Sequence, residues 1–250
     1  MLRQIIDIAR ECGAVMREAH AAEIEKKQDN PRNLVTEYDI RIQEILRQKL
    51  AMVLPEAAFL GEEGKHEFRR EGFCFICDPI DGTTNFIKDL KHSAVSIALL
   101  NNGKPVMGVI YDPYLDEMFW AEKGQGAFLN GKAIHTTDEP LANSLIAFGS
   151  APYNSALHGR TIALAAKSLE LGLDIRRAGA AVLDLAYVAA GRYGLFWELE
   201  LQPWDYAAGC LLVQEAGGII RTAENKELTD YFGVSSVVAM AHPQTAALFD

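Results

Sequence analysis

Five apolar residues, Phe73-Cys74-Phe75-Ile76-Cys77, run without a break into Asp78-Pro79-Ile80-Asp81-Gly82-Thr83-Thr84-Asn85-Phe86, and this junction limits the folds open to the chain. The apolar run reads as a buried strand, which needs a large core; 250 residues with 49% hydrophobic content allow one large domain or two fused subdomains sharing a core. Pro79 removes a ladder donor and holds Asp78 extended, so the strand is expected to stop there with both aspartates emerging at its end. Gly82 permits an unusual turn, and Thr83-Thr84-Asn85 supplies capping residues for a following helical turn whose amide hydrogens face a potential anion. Carboxylates and anion-binding amides thus meet at one corner. Cys74 and Cys77, three apart on a strand, point to opposite faces and read as core thiols rather than as a metal or redox pair.

The flanking sequence predicts what packs around this strand. Ile5, Ile6, Ala9, Cys12, Gly13 and Met16 form one stripe of an amphipathic helix from Leu2 to about Ile24. A second helix is expected from Glu37 or Tyr38 to about Leu50, with Ile42, Ile45, Leu46 and Leu50 inward and Pro55 marking its end. From Ser93 to about Ala133, short Val-, Ile- and aromatic-rich runs separated by Asn101-Asn102-Gly103 and Asn130-Gly131 predict an antiparallel meander. Beyond about residue 140 strands and helices alternate, the pattern of α/β layers. The expected strands are Leu145 to Gly149, Asp174 to Arg177, Gly194 to Glu198, Ile219-Ile220 and Val234 to Met240. The expected helices cover Gly159 to Leu171, Ala180 to Ala190 and a stretch after Trp204, and a last one begins near His242. The division expected is an N-terminal α+β subdomain, residues 1–137, and a C-terminal α/β subdomain, residues 138–250, packed as one unit.

A phosphate dianion beside several carboxylates is strongly repelled unless cations intervene, so the corner at Asp78 and Asp81 implies metal. Hard oxygen ligands without a His or Cys cluster favour Mg²⁺, or Mn²⁺ in its place, over zinc. Two such ions about 3.5–4 Å apart can activate a water and neutralise a leaving oxygen. Two further acidic positions stand out: Glu62, in Gly61-Glu62-Glu63-Gly64 after the short apolar run Ala57 to Leu60, and Asp205, at or near the N-cap of an apolar helix. Alone, Glu62 reads more readily as a solvated acidic turn and Asp205 as a helix cap; only their conjunction with Asp78 and Asp81 reverses that. The net charge of −10, without long runs, argues against a nucleic-acid partner. The segment from Met1 to His20 mixes charge with apolar residues, unlike a signal peptide or membrane span, and the cysteines form no framework; a cytoplasmic address with reduced thiols is expected.

Taken in order, Asn33 to Asp39, Gly61-Glu62-Glu63, Asp78 to Phe86, and Trp204-Asp205 with Ala207-Ala208-Gly209 resemble the signature segments of the inositol monophosphatase family, over nearly the whole chain. The resemblance implies a layered αβαβα sandwich and Mg²⁺-dependent hydrolysis of a small phosphate monoester, with two or three ions per site. It implies that Glu62, Asp78, Asp81, Asp205 and the carbonyl of Ile80 are metal ligands, Asp78 bridging two ions. Thr83 and Asp39 would orient the attacking water, the amides of Gly82 and Thr83 would hold phosphate, and Gly179, Ala181 and Glu198 would line the alcohol part of the substrate.

Thr84-Asn85-Phe86 resembles the inositol-type version of the motif, so inositol monophosphate ranks first among substrates. Fructose 1,6-bisphosphate and 3'-phosphoadenosine 5'-phosphate follow as alternatives within the superfamily, which also includes histidinol phosphatases. Two aspartates three apart with proline between them do not fit the i, i+2 spacing of aspartyl-phosphate enzymes. Lithium sensitivity and a homodimer are further implications of the resemblance. Some family members resemble partners of the transcription machinery, which keeps a binding module as the alternative class. The chain departs from the pattern where a family lysine aligns with Gln28, next to Lys26 and Lys27, and in Gly149 to Asn154, which lacks likeness to the inositol-specific enzymes.

Overall fold

The structure is a computed structural model that describes residues 1–19, 24–26, 34–64 and 69–242. Helix α1, Leu2–Glu18, buries Ile5, Ala9, Cys12, Gly13 and Met16 of the predicted stripe together with Ile8 and Val15, while Ile6 is only half-buried. It ends earlier than predicted because the chain turns extended at Ala19, and Ile24–Lys26 (β1) then pairs antiparallel with Leu34–Thr36 (β2). The positions of Lys27 and Gln28 lie outside the described residues, as does any helix after His242. Helix α2, Glu37–Val53, starts from a capping box in which Thr36 and Asp39 satisfy each other's backbone amides.

Strands β3 (Ala58–Gly61), β4 (Phe73–Asp81), β5 (Ala94–Asn101), β6 (Lys104–Asp112), β7 (Glu117–Glu122), β8 (Gly126–Leu129) and β9 (Lys132–Ile134) form a seven-stranded sheet in sequence order. The β3–β4 pair is parallel and the rest is the predicted antiparallel meander. Both Asn-Gly hairpins have positive φ at each central residue, Asn102-Gly103 and Asn130-Gly131, as their twist requires. A five-residue helix, α3 (Thr83–Ile87), follows β4.

The second half contributes β10 (Leu145–Phe148), α4 (His158–Leu171), β11 (Asp174–Arg176), α5 (Ala181–Ala189), β12 (Leu195–Leu201), α6 (Pro203–Glu215), β13 (Ile219–Arg221) and β14 (Ser235–Met240). Its strands form a mixed sheet in the order β11-β10-β12-β14-β13.

Three cores separate five layers. One lies between α1–α2 and the outer face of the large sheet, using Phe75, Cys77, Ile97 and Val109 with Ile42 and Leu46. A second joins the inner face, Cys74, Ile76, Ala98 and Ile110, to α5, α6 and the near face of the small sheet. The third lies between the far face of the small sheet, including Ile146, Trp197 and Val238, and Ala165 of α4. The result is the expected αβαβα sandwich. Cys74 and Cys77 fall in different cores, as alternation along a strand demands, and the thiols of Cys12, Cys74, Cys77 and Cys210 are buried and free.

Helix α6 sits close against β6 because residue 108 is glycine: a Cβ there would lie 2.8 Å from the Ala208 carbonyl oxygen. Gly108→Ala is therefore expected to push α6 off the sheet and cost about 1–3 kcal/mol, read as a lower urea midpoint. An unchanged midpoint would contradict this packing.

Candidate active site

The sequence predicts that β4 ends near Pro79 with its aspartates emerging from the sheet; instead the strand continues to Asp81 and both side chains are buried, Asp78 at 2% and Asp81 at 8% exposure. The reason is a bulge. Asp78 pairs with Ser96 and Asp81 with Ala94, so Pro79 and Ile80 together oppose Val95. On a regular strand residues three apart face opposite sides, but the extra residue rotates Asp81 onto the face that carries Asp78, toward α5 and α6. Pro79 fits the bulge because no ladder donor is needed there.

Asp205 reaches the same place from α6. It is the third residue of the helix and completes a capping box, its Oδ2 accepting from the Gln202 amide at 2.7 Å. One carboxylate oxygen from each of Asp78, Asp81 and Asp205 lies within 4.8 Å of the others. Capping and convergence are therefore the same fact about Asp205. Burial pushes all three carboxyls up, Asp81 to about 8, and their mutual repulsion adds to it. Glu62 raises all three by its charge, but it is not among the carboxylates whose oxygens lie within 4.8 Å of one another.

Several elements hold this corner. Asp78 Oδ1 accepts from the Ile80 amide at 2.9 Å, and Asp81 Oδ2 accepts from the Val182 amide at 3.1 Å. Thr83 Oγ1 lies 3.1 Å from the Ile80 carbonyl oxygen and 3.5 Å from Asp39 Oδ1, while Asp39 is fully buried and anchored by the Thr36 amide at 2.8 Å. Gly82, not a Thr or Asn side chain, forms the N-cap of α3, with φ of 83° in the left-handed region. Asn85, read from the sequence as a cap, instead donates across the loop to the carbonyls of His92 (2.8 Å) and Ala178 (2.9 Å). That bond fastens the segment containing Gly179 and Ala181 over Gly82, and the Gly179 carbonyl lies 3.2 Å from where a Cβ on Gly82 would sit.

Glu198 is 7% exposed on β12, at a register shift against β14, and its Oε1 accepts from the Ala151 amide at 2.8 Å. Burial lifts its carboxyl to about 7, against the lowering by that amide. It points inward and its charge reaches Asp81 and Asp205. Sequence reasoning missed Gln43, whose amide group brackets Glu63, donating to its carbonyl at 2.6 Å and accepting from its N–H at 2.7 Å, and so pins the turn carrying Glu62. Gln43 sits on an ordinary helix face with no local motif to mark it.

The donor set suits a hard divalent cation: it is all carboxylate oxygen, and among the described residues neither imidazole nor thiolate joins the cluster. Oxygens sharing such an ion, each about 2.1 Å from it, are separated by at most about 4.2 Å, a range that the 4.8 Å bound on this group includes.

The chain belongs to the inositol monophosphatase family, a Mg²⁺-dependent family whose description matches residues 1–249. It is similar to the inositol-1-monophosphatase of Rhizobium meliloti (strain 1021), at 40% identity over 196 residues, 78% of this chain and 74% of that one. Nus factor SuhB of Escherichia coli (strain K12) is 39% identical over 225 residues, 88% of this chain and 84% of its own. The crystal structure of the extragenic suppressor protein suhB from Bartonella henselae superposes with a TM-score of 0.91 at 35% identity, covering 99% and 96% of the two chains. The family and the layered fold expected from the sequence are both borne out. Among the described residues no helix is long and apolar enough to cross a membrane.

A carboxyl raised by burial and like charge destabilises the folded state most at pH above its raised value, and ceases to do so as pH falls below the ordinary carboxylate range. In mildly alkaline buffer, metal-free Asp81→Asn is therefore expected to melt above the metal-free wild type, by about 2–4 °C per kcal/mol of repulsion removed. Magnesium should raise the Tm of the wild type and leave the variant nearly unmoved. Equal metal-free Tm values with equal magnesium shifts would contradict the cluster's reading as a cation site.

Proposed function

We propose that the protein is a Mg²⁺-dependent phosphomonoesterase acting on a small polyol phosphate, with myo-inositol monophosphate the first candidate substrate. The observation that carries this reading is the convergence of Asp78, Asp81 and Asp205, from two separate elements, with carboxylate oxygens within 4.8 Å of one another and the Glu62 charge acting on all three. Glu62, Asp78, Asp81, Asp205 and the Ile80 carbonyl would hold the cations, Mg²⁺ or Mn²⁺, two or three per site. Bound there, the cations would supply Lewis acidity toward the phosphoryl oxygens and the attacking water.

The chain's own groups do the rest. Thr83 Oγ1 and Asp39 Oδ1, 3.5 Å apart, provide a hydroxyl and a buried carboxylate that can hold a water between them and take its proton. Asp39 keeps its orientation because the Thr36 amide and hydroxyl bind its other oxygen. The amides of Gly82 and Thr83, at the start of α3, would bind phosphate. Gly179 and Ala181 would line the alcohol side, where Glu198 accepts hydroxyl hydrogens. A small polyol matches these acceptors; a flat apolar alcohol leaves Glu198 buried with only the Ala151 amide as partner.

A panel of phosphate monoesters assayed with magnesium, comparing kcat/KM, tests the proposal. Asp205→Asn keeps volume and the helix cap but removes a charge, and is expected to lower kcat/KM on the best ester by at least about a hundredfold, a loss of several kcal/mol of transition-state stabilisation. Unchanged turnover at saturating magnesium would sink the assignment of Asp205. A second reading, association with the transcription machinery, rests on relatives called Nus factor SuhB. Copurification with polymerase subunits by a protein inert toward every ester would favour it.

A further inference from the structure

Away from the acidic corner, on the face of the large sheet that packs against α1 and α2, the chain forms a cleft of about 380 Å³. Arg10 and Arg17 of α1 make one wall, and Tyr111, at the end of β6, with Pro113 and Asp116 of the following turn, makes the other. Arg10, Gly13 and Arg17 share a helix face, since residues three and four apart are neighbours. Gly13 brings the two walls together: a Cβ there would collide with the Tyr111 ring and stand 3.0 Å from Pro113 Cβ. The tyrosine thus enters the notch between the arginines. The Arg10 guanidinium lies 5.9 Å from its ring centroid, and Arg17 Nη1 donates to its hydroxyl at 3.1 Å.

The far wall is held in shape by bonds of its own. Asp112 Oδ1 accepts from the amides of Tyr114 at 2.9 Å and Leu115 at 3.1 Å, and the Asp116 carbonyl accepts from Asn130 Nδ2 at 2.9 Å. The Tyr111 hydroxyl donates to Asp116 Oδ1 at 2.8 Å, while Arg17 Nη1 also donates to the Pro113 carbonyl at 3.2 Å. A cleft fixed in this way spends little ordering free energy when a ligand enters. Most of its cationic donors are unspent. Among the described residues Arg10 makes no hydrogen bond, its ion pair with Asp116 is a distant one at 3.8 Å, and Arg17 engages only Nη1. Two guanidinium charges face one carboxylate, so the cleft is positive in a chain whose formal charge is −10.

We infer that the cleft between Arg10 and Arg17 is a binding site for a phosphate dianion, free or carried on a small ester, separate from the acidic corner. Guanidinium forks match phosphate oxygens in geometry and charge, and the volume admits a phosphate with a few carbons attached. The site needs no divalent cation, because the arginines supply the positive charge that the acidic corner has only with metal bound. It stands independently of the phosphatase reading.

Titration calorimetry with inorganic phosphate, and separately with glycerol 3-phosphate, in EDTA at low salt tests the inference. Without divalent cations the acidic corner repels both probes, so the cleft is the site observed. The wild type is expected to bind with saturation, and its Kd to rise as salt is added. Arg10→Gln removes no hydrogen bond of the folded chain; it should leave Tm nearly unmoved and weaken binding at least about tenfold, the loss of one charge-assisted hydrogen bond. Asp116→Asn removes the competing negative charge and should tighten binding. Tighter binding of the inorganic ion makes free phosphate the occupant, and tighter binding of glycerol 3-phosphate makes it an ester. No saturable binding of either probe, an affinity unchanged by Arg10→Gln, or weaker binding in Asp116→Asn overturns the inference.

Discussion

Carboxylates that repel one another, buried in a medium that strengthens the repulsion, are the feature around which the rest of the molecule is arranged. Asp78, Asp81 and Asp205 are each pushed toward the neutral form by burial and then by neighbouring acids, Glu62 among them for all three. Packed side chains alone give no reason to keep such a group, since apolar residues of similar size would be cheaper. The fold maintains it with several devices: a bulge in β4, a capping box on α6 and a glycine at 108 that lets α6 approach the sheet. Such an arrangement is useful when a divalent cation occupies it, because the repulsion then becomes the affinity.

The layers divide the labour. The large sheet and its helices supply Asp39, Glu62, Asp78, Asp81 and Thr83, the groups proposed to act on phosphate. The small sheet and its loops supply Gly179, Ala181 and Glu198, the groups proposed to read the alcohol. Asp205, on a helix packed between the two sheets, belongs to both halves: its carboxylate joins the cluster while its helix buries Ala207, Ala208 and Leu211 in the shared core. A change in alcohol preference can therefore arise in the second half while the phosphate chemistry stays with the first.

Much of this was legible in the sequence, because the signals are local. Asn-Gly turns announced the hairpins, helical stripes announced α1 and α2, and Asp78 to Phe86 announced the acidic corner. What escaped depends on tertiary pairing. Pro79 reads as the end of a strand, and only the partner strand β5 reveals that it sits in a bulge that turns two aspartates to one face. Asn85 has the composition of a cap, yet its amide binds both the His92 carbonyl and that of Ala178, which is 93 positions on from Asn85. Gln43 is an ordinary residue type at an unremarkable position, and its role arises from a partner 20 residues away. The inward orientation of Glu198 follows from its burial against Gly149, a neighbour that the strand sequence alone does not reveal.

The central claim is that these buried acids form a divalent-cation site, and the most direct measurement is anomalous diffraction from crystals of the protein soaked in Mn²⁺, collected beside a magnesium-soaked control. The account predicts a manganese peak enclosed by Asp78, Asp81 and Asp205, with carboxylate oxygens at coordination distance, and its displacement by excess magnesium. A difference map with no peak there, or with manganese bound only at surface carboxylates such as Asp89 and Asp174, would contradict it.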